Sequence, residues 1–215
     1  MNKSATMLIL LMILSASCVA STAEVQPLVI IIPNNPSISS PSSVEPIAIG
    51  EGGLLSGQPC PSPCFYGIHL GETRLNKATS LLAKNGIYGC TQEIDNVSCG
   101  NSIFIGIHTP TTMVDGIRYS PSVPIAIGAI INKYGNPGLI QVFYGDVPDV
   151  LRVSVILYWD SLDMRIHLPE VAGQYYEIKN TTSIEWVTFF DKNQYLKLTS
   201  GNLNRKWNGY GRYTP

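Results

Sequence analysis

Five cysteines carry the clearest chemistry in this 215-residue chain. Cys18 stands alone, while Cys60, Cys64, Cys90 and Cys99 lie together further on. An even set of four in an oxidising compartment points to two disulfides. Three pairings are open. The spacing slightly favours the local one, Cys60–Cys64 with Cys90–Cys99. Cys60-Pro-Ser-Pro-Cys64 leaves room for a tight bridge that its prolines constrain, and Thr91–Ser98 reads as a loop or hairpin end. The competing chemistry is a four-thiolate zinc site, but zinc ribbons use CxxC-type knuckles rather than these longer spacings. Neither a metal nor another cofactor is expected.

The other reactive residue types are dispersed. His69, His108 and His167 are far apart and lack carboxylate motifs beside them. His108 and His167 fall at predicted strand ends, where a solvated or hydrogen-bonded imidazole is the simpler reading. Asp146 with Asp149 and Asp160 with Asp163 form two Asp-x-x-Asp pairs; calcium loops use denser oxygen donors, so turns explain them better. The chain has no Gly-x-Ser-x-Gly elbow, zinc-protease helix, P-loop or dinucleotide glycine pattern. Catalytic residues are therefore expected to be none. Asn96-Val97-Ser98 and Asn180-Thr181-Thr182 are glycosylation sequons, relevant only in a host that glycosylates exported proteins.

One run suggests binding. From Lys192 onward there is no acidic residue, and Lys197, Arg205, Lys206 and Arg212 alternate with Trp207, Tyr210 and Tyr213. Such a mixture can grip anionic headgroups, a polyanion or a sugar ring. The competing reading is a final edge strand and a packed tail, with charges outside and aromatics inside. Burial of Trp207 separates the two.

The elements that hold these residues begin with an address. Residues 1–23 combine Lys3, the apolar run Met7–Leu14 and the small residues Ser21-Thr22-Ala23, the three parts of a secretory signal. The run is shorter than the about 18 residues that span a bilayer. Cleavage after Ala23 would discard Cys18. Alternatively, Leu14-Ser15-Ala16-Ser17-Cys18 approximates a lipobox with Leu one position too far upstream, and Cys18 would become a lipidated N-terminus held to a membrane; an uncleaved anchor is the remaining reading. With Cys18 cleaved off or lipidated, four cysteines remain.

Residues 24–56 read as a Pro/Ser-rich tether, interrupted by Leu28–Ile32, and the folded domain as 57–215. With 13% charged residues and a net charge of −1, nucleic acid is not an expected partner. Helical periodicity covers Thr73–Lys84, with Leu75, Ala78, Leu81 and Leu82 on one face, Thr73 as cap and Asn85-Gly86 as stop. A second helix covers Gly128–Tyr134, ended by Gly135-Asn136-Pro137. Strand patterns follow each helix: Ser102–His108 after the first; Leu139–Tyr144, Leu151–Trp159, Met164–Leu168, Tyr175–Ile178 and Ile184–Phe190 after the second. Leu151–Trp159 becomes apolar on both faces, as a central strand does. The fold class is α+β: two disulfide-stapled units, about 57–122 and 123–215, each a helix followed by antiparallel strands in a shared sheet.

Pro63-Cys64-Phe65-Tyr66-Gly67-Ile68-His69-Leu70-Gly71-Glu72-Thr73, Gly128 through Tyr134-Gly-Asn-Pro137, and the Trp207-Asn-Gly-Tyr-Gly-Arg-Tyr ending resemble a family of uncharacterised exported bacterial proteins. The family implies no activity. The Gly-x-Thr-helix and Tyr-Gly-x-Pro elements are more distantly similar to SmpA/OmlA-type lipoproteins and β-lactamase-inhibitor-like folds, which implies binding without catalytic machinery. The expected function is an exported binding or scaffolding protein at the cell envelope, extracellular or surface-held, or periplasmic where an outer membrane exists. Its partner would be a protein or an envelope polymer. A hydrolase acting on envelope material and a secreted inhibitor are the alternatives.

Overall fold

Alternating apolar residues build the sheet. The computed structural model describes residues 49–107, 112–145, 150–201 and 203–215. The signal segment, Cys18, Leu28–Ile32, His108, Asp146 and Asp149 lie outside the described residues. In chain order the elements are α1 (Leu75–Lys84), β1 (Cys90–Gln92), β2 (Asn96–Cys99), β3 (Ile103–Ile107), β4 (Val114–Tyr119) and α2 (Ile127–Tyr134). There follow β5 (Leu139–Gly145), β6 (Arg152–Trp159), β7 (Met164–Ala172), β8 (Tyr176–Ile178), β9 (Trp186–Phe190), α3 (Lys192–Thr199), β10 (Asn204–Lys206) and β11 (Gly211–Tyr213).

Among the described residues, nine strands form one antiparallel sheet in the order β1-β2-β3-β4-β9-β7-β6-β5-β10, and β8 pairs with β11 separately. The two helix-then-strands units are visible in this order. After α1 comes the meander β1 to β4; after α2 comes β5, β6, β7 and β9. Their last strands meet, with Gly116 to Tyr119 of β4 in register against Phe190 to Val187 of β9. Sharing the sheet removes an open edge from each half.

Both helices cover the same apolar cluster. Leu75, Ala78 and Leu82 of α1 and Ile127 and Ile130 of α2 pack with Ile105, Ile117, Phe189, Ile166, Val155 and Leu157 from the strands. Central β6 is buried on both faces, because Ile156 and Tyr158 point away from that cluster and pack with Tyr195 of α3.

The cysteines form the local bridges Cys60–Cys64 and Cys90–Cys99. The second joins partners facing each other across the β1–β2 hairpin. With all four sulfurs in disulfides, no thiolates remain for zinc.

Three expectations need correction. The packed domain starts before residue 57. Ile49 and Leu54 are fully buried, and the Leu54 carbonyl accepts from Lys133 Nζ (3.0 Å) and Tyr134 Oη (2.5 Å) of α2. Thr73 does not cap α1. Its Oγ1 accepts from the His69 N–H at 2.9 Å, while the Thr112 carbonyl takes the Leu75 N–H at 3.0 Å. A neighbouring backbone segment thus does the work of a side-chain cap. The turn expected at Asp160 and Asp163 is present: Asp160–Leu162 is a 3-10 turn, with Asp163 left-handed at φ 46°. Residues after Lys192 first form a helix, because Asp191 Oδ1 accepts from the Asn193 and Gln194 N–H groups; the edge strand appears only at β10.

Candidate binding face

The helix layer covers one face of the sheet; α3 covers only part of the other. Between α3 and the far strands the sheet remains open. Across it, Phe104, Arg118, Thr188 and Arg165 lie in register on β3, β4, β9 and β7. Directly paired side chains on one face sit roughly 5 Å apart at Cβ, so these residues form one continuous row. Trp186 and Phe190 flank Thr188 on β9, and His167 follows Arg165 on β7, opposite Trp186.

The arginines stack on aromatic rings. The Arg118 guanidinium carbon lies 5.1 Å from the Trp186 ring centre and 5.7 Å from that of Phe104; that of Arg165 lies 4.7 Å from Phe190. Stacking holds the guanidinium planes by their faces and leaves their edges for hydrogen bonding, where Arg165 donates one bond to Tyr158. Two shallow cavities open beside the row and share Arg118. One, of about 400 Å³, is lined by Gly106, Gly116, Arg165, Thr188 and Gln194. The other, of about 560 Å³, is lined by Trp186, His167, Arg152, Ser154, Glu170 and Glu185. Two bulges shape their walls. One lies between Gly106 and Ile107, across from the Asp115 segment of β4; the other lies between Val153 and Val155, at Ser154 of β6. Asp115 accepts from Gln194 Nε2 at 2.8 Å, and Glu170 from Ser154 Oγ at 2.6 Å.

The electrostatics of this face are unbalanced. Among the described residues, Thr188 Oγ1, Arg165 Nε, His167 Nε2 and Arg152 Nε are buried polar atoms without a hydrogen-bond partner. Thr188 is 4% exposed. Burial pushes the Arg165 pKa below its ordinary value; Tyr158 acts in the opposite direction, and the charge of Arg118 adds to the lowering. His167 is lowered to about 4 by burial, then by Arg165 and Arg118, and is neutral at pH 7.

In the basic-aromatic tail Trp207 is packed, while Arg205, Lys206, Tyr210 and Arg212 are exposed. Trp207 is 9% exposed, stacks on Tyr213 at 5.7 Å and meets Tyr210 edge-on at 6.1 Å. Arg205 and Lys206 lie on edge strand β10, and Arg205 Nη1 donates to the Thr214 carbonyl at 2.7 Å. Arg212 stacks on Tyr175 at 3.9 Å. Lys197 is exposed on α3, apart from this cluster. Burial of Trp207 favours the packed-tail reading over a binding surface.

His69 is exposed, with Nε2 3.5 Å from Cys64 Sγ of the disulfide. His167 lies inside β7 rather than at a strand end, and its Nε2 is unpartnered among the described residues. The open face went unread in the sequence, although one signal for it existed. Within Met164–Leu168, Arg165 and His167 are two apart and alternate with Met164, Ile166 and Leu168, which puts both on the face away from the apolar cluster. No family model, curated protein or solved structure matches this chain.

Proposed function

We propose that this is an exported, non-catalytic binding protein of the cell envelope, and that it contacts a protein or envelope polymer through the open face of the sheet. The observation that carries this reading is the row Phe104, Arg118, Trp186, Arg165 and Phe190, in which aromatic and arginine side chains share one uncovered surface. Aromatic residues and arginine are the types most enriched where binding energy concentrates. Two disulfides suit a non-reducing compartment, and the signal at residues 1–23 supports export. For the hydrolase alternative, Glu170 and Glu185 line one cavity with His167, but both are exposed, and Glu170 is tied to Ser154.

The test is retention of purified mature protein on envelope material from its host, with and without protease treatment of that material. Wild type is expected to be retained, and a Phe104→Ala, Trp186→Ala double variant with unchanged thermal melting to be released. Equal retention of the two proteins would remove the open face from the binding reaction. Loss of retention after protease identifies a protein partner; persistence identifies a polymer.

A further inference from the structure

The open face sets two cations either side of Thr188, in a cavity whose rim also carries the carboxylates of Asp95 and Asp115. Arg118 and Arg165 flank Thr188 on adjacent strands, in register. Among the described residues neither arginine forms an ion pair, and the Thr188 hydroxyl and Arg165 Nε are buried without partners. Buried polar groups of this kind are normally satisfied, and like charges brought together on a partly desolvated surface raise each other's cost. The floor beside them is clear. Gly106 and Gly116 face each other across β3 and β4, and a Cβ on Gly116 would meet open space.

We propose that Arg118, Arg165 and Thr188 form a binding site for one oxyanion group, a carboxylate, phosphoryl or sulfate, carried by the ligand of the open face; this rests on that face being the binding surface. An oxyanion above Thr188 accepts the hydroxyl proton and the edge N–H groups of both arginines. Charge-assisted bonds of this geometry are the strong ones. The anion also lowers the repulsion between the two guanidinium groups. Trp186 and Phe190 wall the site on either side of Thr188, so a flat apolar group attached to the anion gains further contact. Asp115 stands in the same cavity with its carboxylate engaged by Gln194. It selects against ligands that would bring a second negative charge to that end.

The experiment is a titration of the mature protein with sodium benzoate, acetate, phosphate and sulfate, each against sodium chloride at matched ionic strength. Arginine Nε–H and tryptophan indole resonances are followed by NMR. The expected result is a saturable shift at Arg118, Arg165 and Trp186. Affinity falls about tenfold in Arg165→Gln and similarly in Gly116→Val, which fills the floor without removing charge. Lys206→Ala leaves the affinity unchanged. Acetate binding more tightly than sulfate assigns a carboxylate; the reverse assigns a phosphoryl or sulfate group. Absence of a saturable shift, or equal affinity in wild type, Arg165→Gln and Gly116→Val, overturns the site. If the titration fails while the Phe104→Ala, Trp186→Ala variant still loses envelope retention, the oxyanion site falls and the binding face stands. If both fail, the face itself is wrong.

Discussion

Arg118 and Arg165 lie on the two strands either side of β9 and share one in-register neighbour, the buried Thr188. That arrangement places an unsatisfied hydroxyl between two cations on a partly open surface. It is a poor arrangement for stability and a good one for holding an anion. Functional sites are where such compromises between folding and binding are expected.

Thr188→Val tests the compromise. The substitution keeps the branched shape and removes a buried hydroxyl that has no partner among the described residues. Relief of that desolvation is expected to stabilise the protein by about 1 kcal/mol, seen as a higher melting temperature, while oxyanion affinity falls. A lower melting temperature would show that the hydroxyl is satisfied in solution.

His167 makes stability depend on pH. Its folded-state pKa, about 4, is below the ordinary 6.5. The unfolded chain takes up the proton as pH falls through 6.5, whereas the folded chain takes it only near 4. Stability present above pH 6.5 is therefore lost between 6.5 and 4, by at most about 3 kcal/mol. Arg165 on its own strand and Arg118 on β4 oppose the charge, with Trp186 across on β9 and Ile156 on β6; Glu170 and Glu185 share its cavity. Denaturant melts of wild type and His167→Gln at pH 7 and pH 4.5, a pair of values about that window, isolate the imidazole. A parallel decline in both proteins would contradict the assignment.

Gly128 is held by close approach rather than by a turn. A Cβ there would lie 2.7 Å from the Asn180 carbonyl oxygen, which accepts the Gly128 N–H at 2.9 Å. Alanine gains about 1 kcal/mol of helix propensity yet forces this backbone contact apart. The expected net loss is about 1–2 kcal/mol by chemical denaturation. A stabilised Gly128→Ala would show that the segment around Asn180 yields freely.

Trp207→Ala separates packing from binding in the tail. Loss of a buried indole stacked on Tyr213 should cost about 3 kcal/mol, whereas Lys206→Ala on the exposed edge should stay within about 0.5 kcal/mol. Comparable small effects would return Trp207 to the surface.

The two bridges should differ in weight. By loop-closure entropy, Cys90→Ser with Cys99→Ser costs about 3 kcal/mol and Cys60→Ser with Cys64→Ser about 2 kcal/mol. Unfolding of each double variant measures this. Non-reduced intact mass of the wild type should be four hydrogens lighter than the reduced form; four free thiols would remove both bridges.

Much of the scaffold could be read from the residues alone. Leu75, Ala78 and Leu82 repeat at helical spacing, Gly135 has the left-handed φ of 79° that a helix stop requires, and the apolar run of β6 marks a strand covered on both sides. These patterns are local, since helix and strand periods follow from backbone geometry within a few residues. The even number of cysteines after Cys18 and their close spacing likewise favoured the two local bridges. Thr73 and α3 were misread for the same physical reason. A cap can be supplied by distant backbone such as Thr112, and a short polar helix such as Lys192–Thr199 depends on Asp191 and on a place to bury Tyr195. The open face was decided by tertiary structure. Arg118, Thr188 and Arg165 come from three segments distant in sequence, and only the β4–β9 junction and the β9–β7 register bring them side by side. Strand alternation told which face each residue would take within its own strand. Which strands would be neighbours, and where helix cover would stop, depended on burial summed over the whole sheet.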